Sequence, residues 1–371
     1  MKKLSLFLVI TFLFFGLCFS QYQLEDGYIE TISDQNAKSS FTFKNLRIYP
    51  LTAGNNFKNA HKDIGKYSTL KESIEQNKIK ITETDSEINT DAINNRTNNN
   101  INNSIRHRND LTDAPNPNNN DQIQIQLNNN EIQQNTNYSP GAQVNTLYIE
   151  NISKDTVYIM AGEVVKGGKQ DRVLAQDMIL PPRSGKVDIS VFCVERNRWS
   201  YNDTKSFNQY FSVSSNSIRK TVIQEQDQSA VWEEVGKTVK KNHTETNSGT
   251  YTSLVNSKEY NKQVKEYSDY LLKALKATPN CIGFVGVSGN EIIGCDIFAT
   301  PDLFSKQSET ILKGYITEAV INGKEVNIDY SEVQKYLNEL LTDQEEDQDK
   351  VINEKGGQYK FNNKKIHITT F

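Results

Sequence analysis

The residues best suited to chemistry crowd into two short runs. The first is Gly162-Glu-Val-Val-Lys-Gly-Gly-Lys-Gln-Asp-Arg172, and the second is Cys193-Val-Glu-Arg-Asn-Arg-Trp199. Gly167 and Gly168 permit backbone angles closed to other residues and let a ligand approach the main chain. Lys166, Lys169 and Arg172, with Gln170 between them, could then converge on a phosphate. Arginine brings a planar fork to such a site and lysine a point charge. Trp199, close to Arg196 and Arg198, could stack under a base or a sugar. Glu163, Asp171 and Glu195 are candidate acids or bases, or could hold the cations in place. In a hydrolytic version, Glu163 or Glu195 acts as general base on a water at the bound ligand. The same residues also have a plainer reading: a Gly-Gly turn between strands, flanked by solvated charges, with Trp199 in the core.

Little else in the chain offers a reaction. GxGxxG after a strand, the phosphate-loop signature, HExxH and GxSxG are all missing. The four histidines, His61, His107, His243 and His367, lie far apart. His367, alone on an alternating strand, reads as structural or exposed rather than as a base. Cys193 also sits in a strand, where burial is expected and the depressed pKa of a nucleophilic thiol is not. None of the cysteines falls in a CxxC or CxxH spacing, so no zinc site is implied, and no cofactor is implied either.

Location and partners are bounded by charge and by the amino terminus. Lys2 and Lys3 precede an almost wholly apolar run from Leu4 to Phe19, and Cys18-Phe-Ser20 places small residues at −3 and −1 of a cut before Gln21. We read residues 1–20 as a signal peptide of an exported chain, since the run is short of the ~20 residues that span a bilayer. Cleavage removes Cys18 and takes the formal charge from −4 to −6. That acidic balance argues against a nucleic-acid footprint, which needs a basic excess on one face. No later apolar stretch approaches spanning length, so no membrane span is expected after cleavage. The protein partner is not legible.

Chemistry of this kind needs elements to hold it. Residues 41–50 read as a strand ending at Pro50, and Tyr67–Ile74 as a short helix capped by Ser68 or Thr69 with Glu72 in its first turn. Lys78–Thr82 alternates like a half-buried strand. Residues 86–141 hold NNRTNNNINNS and LNNNEIQQNTN, too few apolar side chains to offset ordering entropy, and read as a disordered insertion. Short alternating strands follow around Leu147, Val157 and Val187–Cys193. Helical spacing then takes over at Val231-x-x-x-Val235-x-x-x-Val239 and in 257–277, and Pro279 enforces a stop. Residues 281–287 and 291–298 read as a hairpin around Ser288-Gly289-Asn290. In that hairpin Cys295 falls near Gly283, and the remaining cysteines are expected as buried thiols. Thr300-Pro301-Asp302 starts another helix that ends at Gly323. Ser331-x-x-Gln334 resembles a capping box. Residues 342–356 read as an acidic, glycine-ended linker, and 358–361 with 364–369 as a closing hairpin through Asn362-Asn363. Strands first and helices later make the chain α+β, a single domain over 40–371 interrupted by the insertion.

Several of these runs resemble a known family. Tyr148-Ile-Glu-Asn-Ile-Ser, Val157-Tyr-Ile-Met-Ala-Gly-Glu163, Val165-Lys-Gly-Gly-Lys-Gln-Asp-Arg172, Asp177-Met-Ile-Leu-Pro-Pro182 and Val191–Trp199 are similar to the ARG and Rhodanese-Phosphatase-superfamily-associated protein domain. Gln228-x-x-Val-Trp232 and the closing Lys365-Ile-His-Ile-Thr-Thr-Phe371 fit the same pattern. The resemblance covers most of 40–371, and the Asn-rich stretch departs from it. It implies a link to ADP-ribose or NAD-derived metabolites, by association alone. Two functions therefore stand open. One is binding or processing of a phosphorylated, nucleotide-like ligand through the Gly-Gly-Lys-Gln block. The other is a secreted, non-catalytic module that engages a protein or a glycan.

Overall fold

The computed structural model describes residues 20–84, 145–198 and 206–371. Residues 1–19, read above as the bulk of a signal peptide, the Asn-rich stretch 86–141 with His107, and Trp199 lie outside the described residues. The first described stretch gives β1 (Ile29–Thr31), α1 (Asp34–Ser40), β2 (Thr42–Phe43), β3 (Leu46–Ala53), α2 (Asn55–Ala60), β4 (Ser68–Thr69), α3 (Leu70–Glu75) and β5 (Ile79–Glu83). The second gives β6 (Thr146–Asn151), β7 (Val157–Ile159), β8 (Glu163–Gly167), β9 (Arg172–Leu174), β10 (Met178–Leu180) and β11 (Gly185–Cys193). The third opens with β12 (Phe207–Val213), α4 (Asn216–Lys220), a π-helical turn (Thr221–Glu225), α5 (Gln228–Lys241), a short 3-10 segment (Tyr251–Asn256) and α6 (Lys258–Ala277). It closes with β13 (Cys281–Ser288), β14 (Glu291–Phe298), α7 (Pro301–Asn322), α8 (Tyr330–Leu340), α9 (Glu345–Lys355), β15 (Gly356–Phe361) and β16 (Lys364–Thr370). The fold is α+β.

Three sheets organise these elements. The largest runs β1-β3-β13-β14-β16-β15, with β2 paired to β3, and a second runs β12-β8-β9-β11-β6-β5. A three-stranded sheet, β10-β7-β4, lies beside them. The large sheet is buried on both faces. α6 and α7 cover one side with Leu271, Leu303, Ile311 and Tyr315 against Phe284 and Phe298, while α8 and α9 cover the other with Val333, Leu337 and Ile352 against Val285 and Ile297. Such double cover explains why all eight residues of β13 are buried, with no alternation to read.

Local signals placed most ends correctly. Thr69 and Glu72 form a reciprocal capping box on α3, Ser257 caps α6, and Thr300 caps α7 with Pro301 in its first turn. Asn362 and Asn363 take left-handed angles in the closing hairpin, the chemistry of a two-residue turn.

Four expectations need correction. β3 runs through Pro50 to Ala53, because β1 ends its pairing at Leu51 and a strand flank without a partner tolerates proline. α8 is capped by Asp329, two residues before the Ser331 expected. The acidic run from 342 is no bare linker: Glu345–Lys355 is helical, anchored by the buried Ile352 and Gln348. Cys295 faces Val285 rather than Gly283, since the hairpin turns tightly at Ser288 and Glu291 and carries a bulge beyond Gly286. Cys193, Cys281 and Cys295 are buried free thiols.

Candidate functional site

The strand β8 links two charge networks, one at each end. At its far end Gly167 and Gly168 take φ of +131° and +54°. The space their missing side chains leave is filled by this chain itself. A Cβ at Gly168 would lie 2.4 Å from the Phe207 ring and 2.6 Å from Glu83 Oε1. The Lys169 amide donates to Glu83 Oε1 at 2.8 Å, and Arg172 Nη2 stands 3.8 Å from the same oxygen. The turn therefore does receive an anion, and that anion is the Glu83 carboxylate. Arg172 has no exposed surface, and its Nη1 donates to the Gln170 carbonyl at 2.7 Å.

The rest of this network is knitted by Arg198. Its guanidinium reaches Glu195 Oε2 at 2.7 Å, the Gly168 carbonyl at 3.2 Å and Asp171 Oδ1 at 3.4 Å. Gln170 donates to the Glu195 carbonyl, while Thr250 and Thr252 donate to Asp171 Oδ2. Lys166 turns elsewhere, its ammonium 6.0 Å from the Phe211 ring centroid. Gln170, Arg172, Glu195 and Arg198 are thus brought together, and Glu163 is not among them.

Glu163 begins β8 and belongs to the second network. Here β14 and β16 pair so that Asp296 faces Thr369 and Phe298 faces His367, which places Asp296 and His367 on one sheet face as diagonal neighbours. His367 Nε2 lies 3.0 Å from Asp296 Oδ1, and its Nδ1 lies 2.7 Å from Oδ2 of Asp177, in the connection between β9 and β10. Phe298 stacks on the imidazole with centroids 4.3 Å apart. From α4, Arg219 grips Asp296 with two bonds of 3.1 and 2.6 Å and donates to Thr369 Oγ1 at 3.0 Å. Tyr315 donates to Asp296 Oδ2 at 2.6 Å. Tyr158 and the Ala161 amide donate to Asp177 at 2.6 and 2.7 Å.

Electrostatics fix the charge state of this cluster. Burial opposes the charged form of His367, but the Asp177 charge and hydrogen bonds to Asp177 and Asp296 push its pKa up to about 9. Burial likewise opposes ionised Asp177, which His367 and its donors nonetheless hold below the usual carboxylate value. Asp296 is held far lower against the same burial, chiefly by Arg219. Glu163 goes the other way: burial raises it to about 8, beyond what the Met160 amide and the neighbouring Tyr210 offset. At pH 7 the cluster therefore holds two cations, two carboxylates and one neutral acid. The balance avoids the large cost of a net buried charge. With both ring nitrogens donating, His367 is not a general base in this state.

Above this cluster lies a cavity of about 220 Å³. Asp177, Gln176, Gln226, Gln358, Tyr359 and Thr369 supply its polar lining, and His367 reaches its floor. Among its described lining residues there is no lysine or arginine, and Asp177 is the only carboxylate. Gln358 Oε1 is buried without a hydrogen-bond partner. Ile223 and Gln226 enter from the π-helical turn, where Gln226 is left-handed (φ 52°, ψ 34°). A π turn and a strained non-glycine residue are features that concentrate at functional sites.

Sequence reading alone did not single out Asp177, Arg219, Asp296 or Gln358 for the site. Asp177 and His367 did stand in two of the family-like runs, yet nothing in their spacing said that a separation of 190 positions would close into a 2.7 Å contact.

No curated protein and no solved structure matches the chain. A family match covers residues 123–370, starting later than the 40–371 expected and holding every residue named in the two networks except Glu83, which β5 supplies. The chain belongs to the ARG and Rhodanese-Phosphatase-superfamily-associated Protein domain family.

Proposed function

We propose that this chain is an exported, non-catalytic binding module for a small uncharged polyhydroxy ligand, one sugar ring of a glycan, held in the cavity above Asp177 and His367. The observation that carries this reading is the lining: three glutamine amides, an ionised aspartate and a tyrosine hydroxyl, with no lysine or arginine among the described residues and with His367 already held between Asp177 and Asp296. Amides and a carboxylate match the mixed donors and acceptors of sugar hydroxyls, and a phosphate would meet Asp177 and a His367 whose two ring nitrogens are already engaged. Size agrees. A cavity of about 150 Å³ holds benzene, so this one accepts a single substituted six-membered ring.

Hydrolysis is not supported by the same lining, because a glycosidase needs two facing carboxylates and Asp177 stands alone among the described ones. Tyr359 already accepts from the Ile179 amide at 2.9 Å, which leaves its proton for a ligand oxygen.

The nucleotide reading keeps one point of support. The Gly-Gly turn is built to receive an anion, although Glu83 occupies it. Binding of monosaccharides and of ADP-ribose to the purified chain, followed by calorimetry, separates the two. Sugar binding lost in Asp177→Asn and Gln358→Ala is the expected result. ADP-ribose binding that Arg198→Ala abolishes, with no response to sugars, would overturn it.

A further inference from the structure

The cavity above Asp177 has a neighbour. A second cavity, about 260 Å³, is lined by Tyr67, Thr156, Ile179, Pro181, Phe361 and Asn362 among others. Both lie along the seam where β10 and the connections flanking it meet the β15–β16 hairpin. β15 passes along both, with Gln358 and Tyr359 in the first and Phe361 in the second. Tyr359 and Phe361 share one side of the strand, since both pack against the same core cluster. Two residues along a strand span roughly 7 Å, a distance that one linkage between adjacent rings bridges. The bar between the cavities is the hydrogen bond from the Ile179 amide to Tyr359 Oη. Tyr359 is only half-buried, so its ring presents a face over which a ligand can cross.

The two linings differ in kind. The first is rich in amides. The second offers aromatic and proline surface with a rim of Thr156, Asn362 and the Asp63–Lys364 ion pair, a combination that suits the apolar face and polar edge of a pyranose. We infer that the seam is a two-subsite groove for a linear oligosaccharide, with the first ring over Asp177 and the second against Phe361. This rests on the sugar reading above and adds the ligand's length and the residues that read it.

The test is calorimetric titration of the full chain with two neutral series, glucose to cellotriose and N-acetylglucosamine to its trimer. In the series that binds, the disaccharide should bind at least tenfold more tightly than the monosaccharide. Phe361→Ala should abolish that gain while leaving monosaccharide affinity within twofold. Thr156→Val, close to it in size, should reduce the gain with the fold intact, which guards against a folding defect in the alanine variant. Equal affinity for one ring and two, or equal loss for both in Phe361→Ala, overturns the second subsite and leaves the first standing. Failure of both series to bind the unaltered chain, or binding indifferent to Asp177→Asn, overturns both readings together.

Discussion

Glu163 and Gly167 open and close the same five-residue strand, roughly 13 Å apart, yet they lead into charge networks of opposite character. Around His367 the ions are sealed: Arg219 and Asp296 have no exposed surface, and the ring between the aspartates is almost as deep. Around the Gly-Gly turn, Arg198 keeps 30% of its side chain in solvent while it ties Glu195 and Asp171. A sealed network must balance its charge internally, whereas a rim network can lean on water. The difference teaches that a dense run of charged residues marks the assembly that reaches water, through Arg198, even though its Arg172 and Glu83 are buried. The assembly with the strongest electrostatic demands is scattered through the chain, one residue per element.

Substitution of Asp296 should have the largest effect. Asp296→Asn leaves Arg219 without its buried partner, and breaking a buried pair in this way costs about 3–5 kcal/mol. Urea unfolding should show that loss. Arg219→Met combined with Asp296→Asn should recover part of it, a coupling that a double-mutant cycle reads directly.

The next effect is on pH. His367 and Glu163 both have raised values, about 9 and about 8, so the folded state binds their protons more tightly than the unfolded chain does. The stability from His367 is complete below its unfolded value near 6.5 and is lost as pH rises through 9. Glu163 reinforces the decline from its unfolded value near 4.5 up to 8. The two depressed aspartates act at the acid end, where stability falls as pH drops through their folded values. At about 1.4 kcal/mol per pKa unit, the loss between pH 6 and pH 9 amounts to a few kcal/mol. A melting temperature that climbed over that range would contradict the charge assignment of the sealed cluster.

Smallest of all should be Arg198→Ala. Arg198 keeps 30% of its side chain in water, which screens its pairs with the buried Glu195 and Asp171, so its loss should cost less than that of the fully buried Asp296. If its unfolding free energy fell as far as that of Asp296→Asn, the contrast between sealed and rim networks would collapse.

The fold was legible where a single side chain decides a local angle. Thr69 and Thr300 announced helix starts, and Asn362-Asn363 a hairpin turn, because caps and turns are satisfied within four residues. Burial on two faces hid more. The uninterrupted apolar run of β13 carries no period, and the helix at Glu345–Lys355 buries two residues, Gln348 and Ile352, inside a run whose composition reads as solvated. The site was half legible. The glycine angles and the anion preference of the Gly-Gly turn followed from residue type, but which anion would fill it depends on a carboxylate 86 residues upstream of Lys169. His367 between two aspartates depends on strand register across the large sheet, which no short window of sequence encodes.

The position of β3 has a consequence for how the molecule is made. Its eight residues, 46–53, sit inside the large sheet against β13, whose residues 281–288 emerge from the ribosome more than two hundred positions later. Loop closure over such a span is slow, and pairing with β13 cannot begin until about three quarters of the chain has been made. The nascent polypeptide must therefore carry a largely apolar strand, paired only with the short β1 and β2, through most of its synthesis, a long window in which a holding chaperone would find an unfolded client.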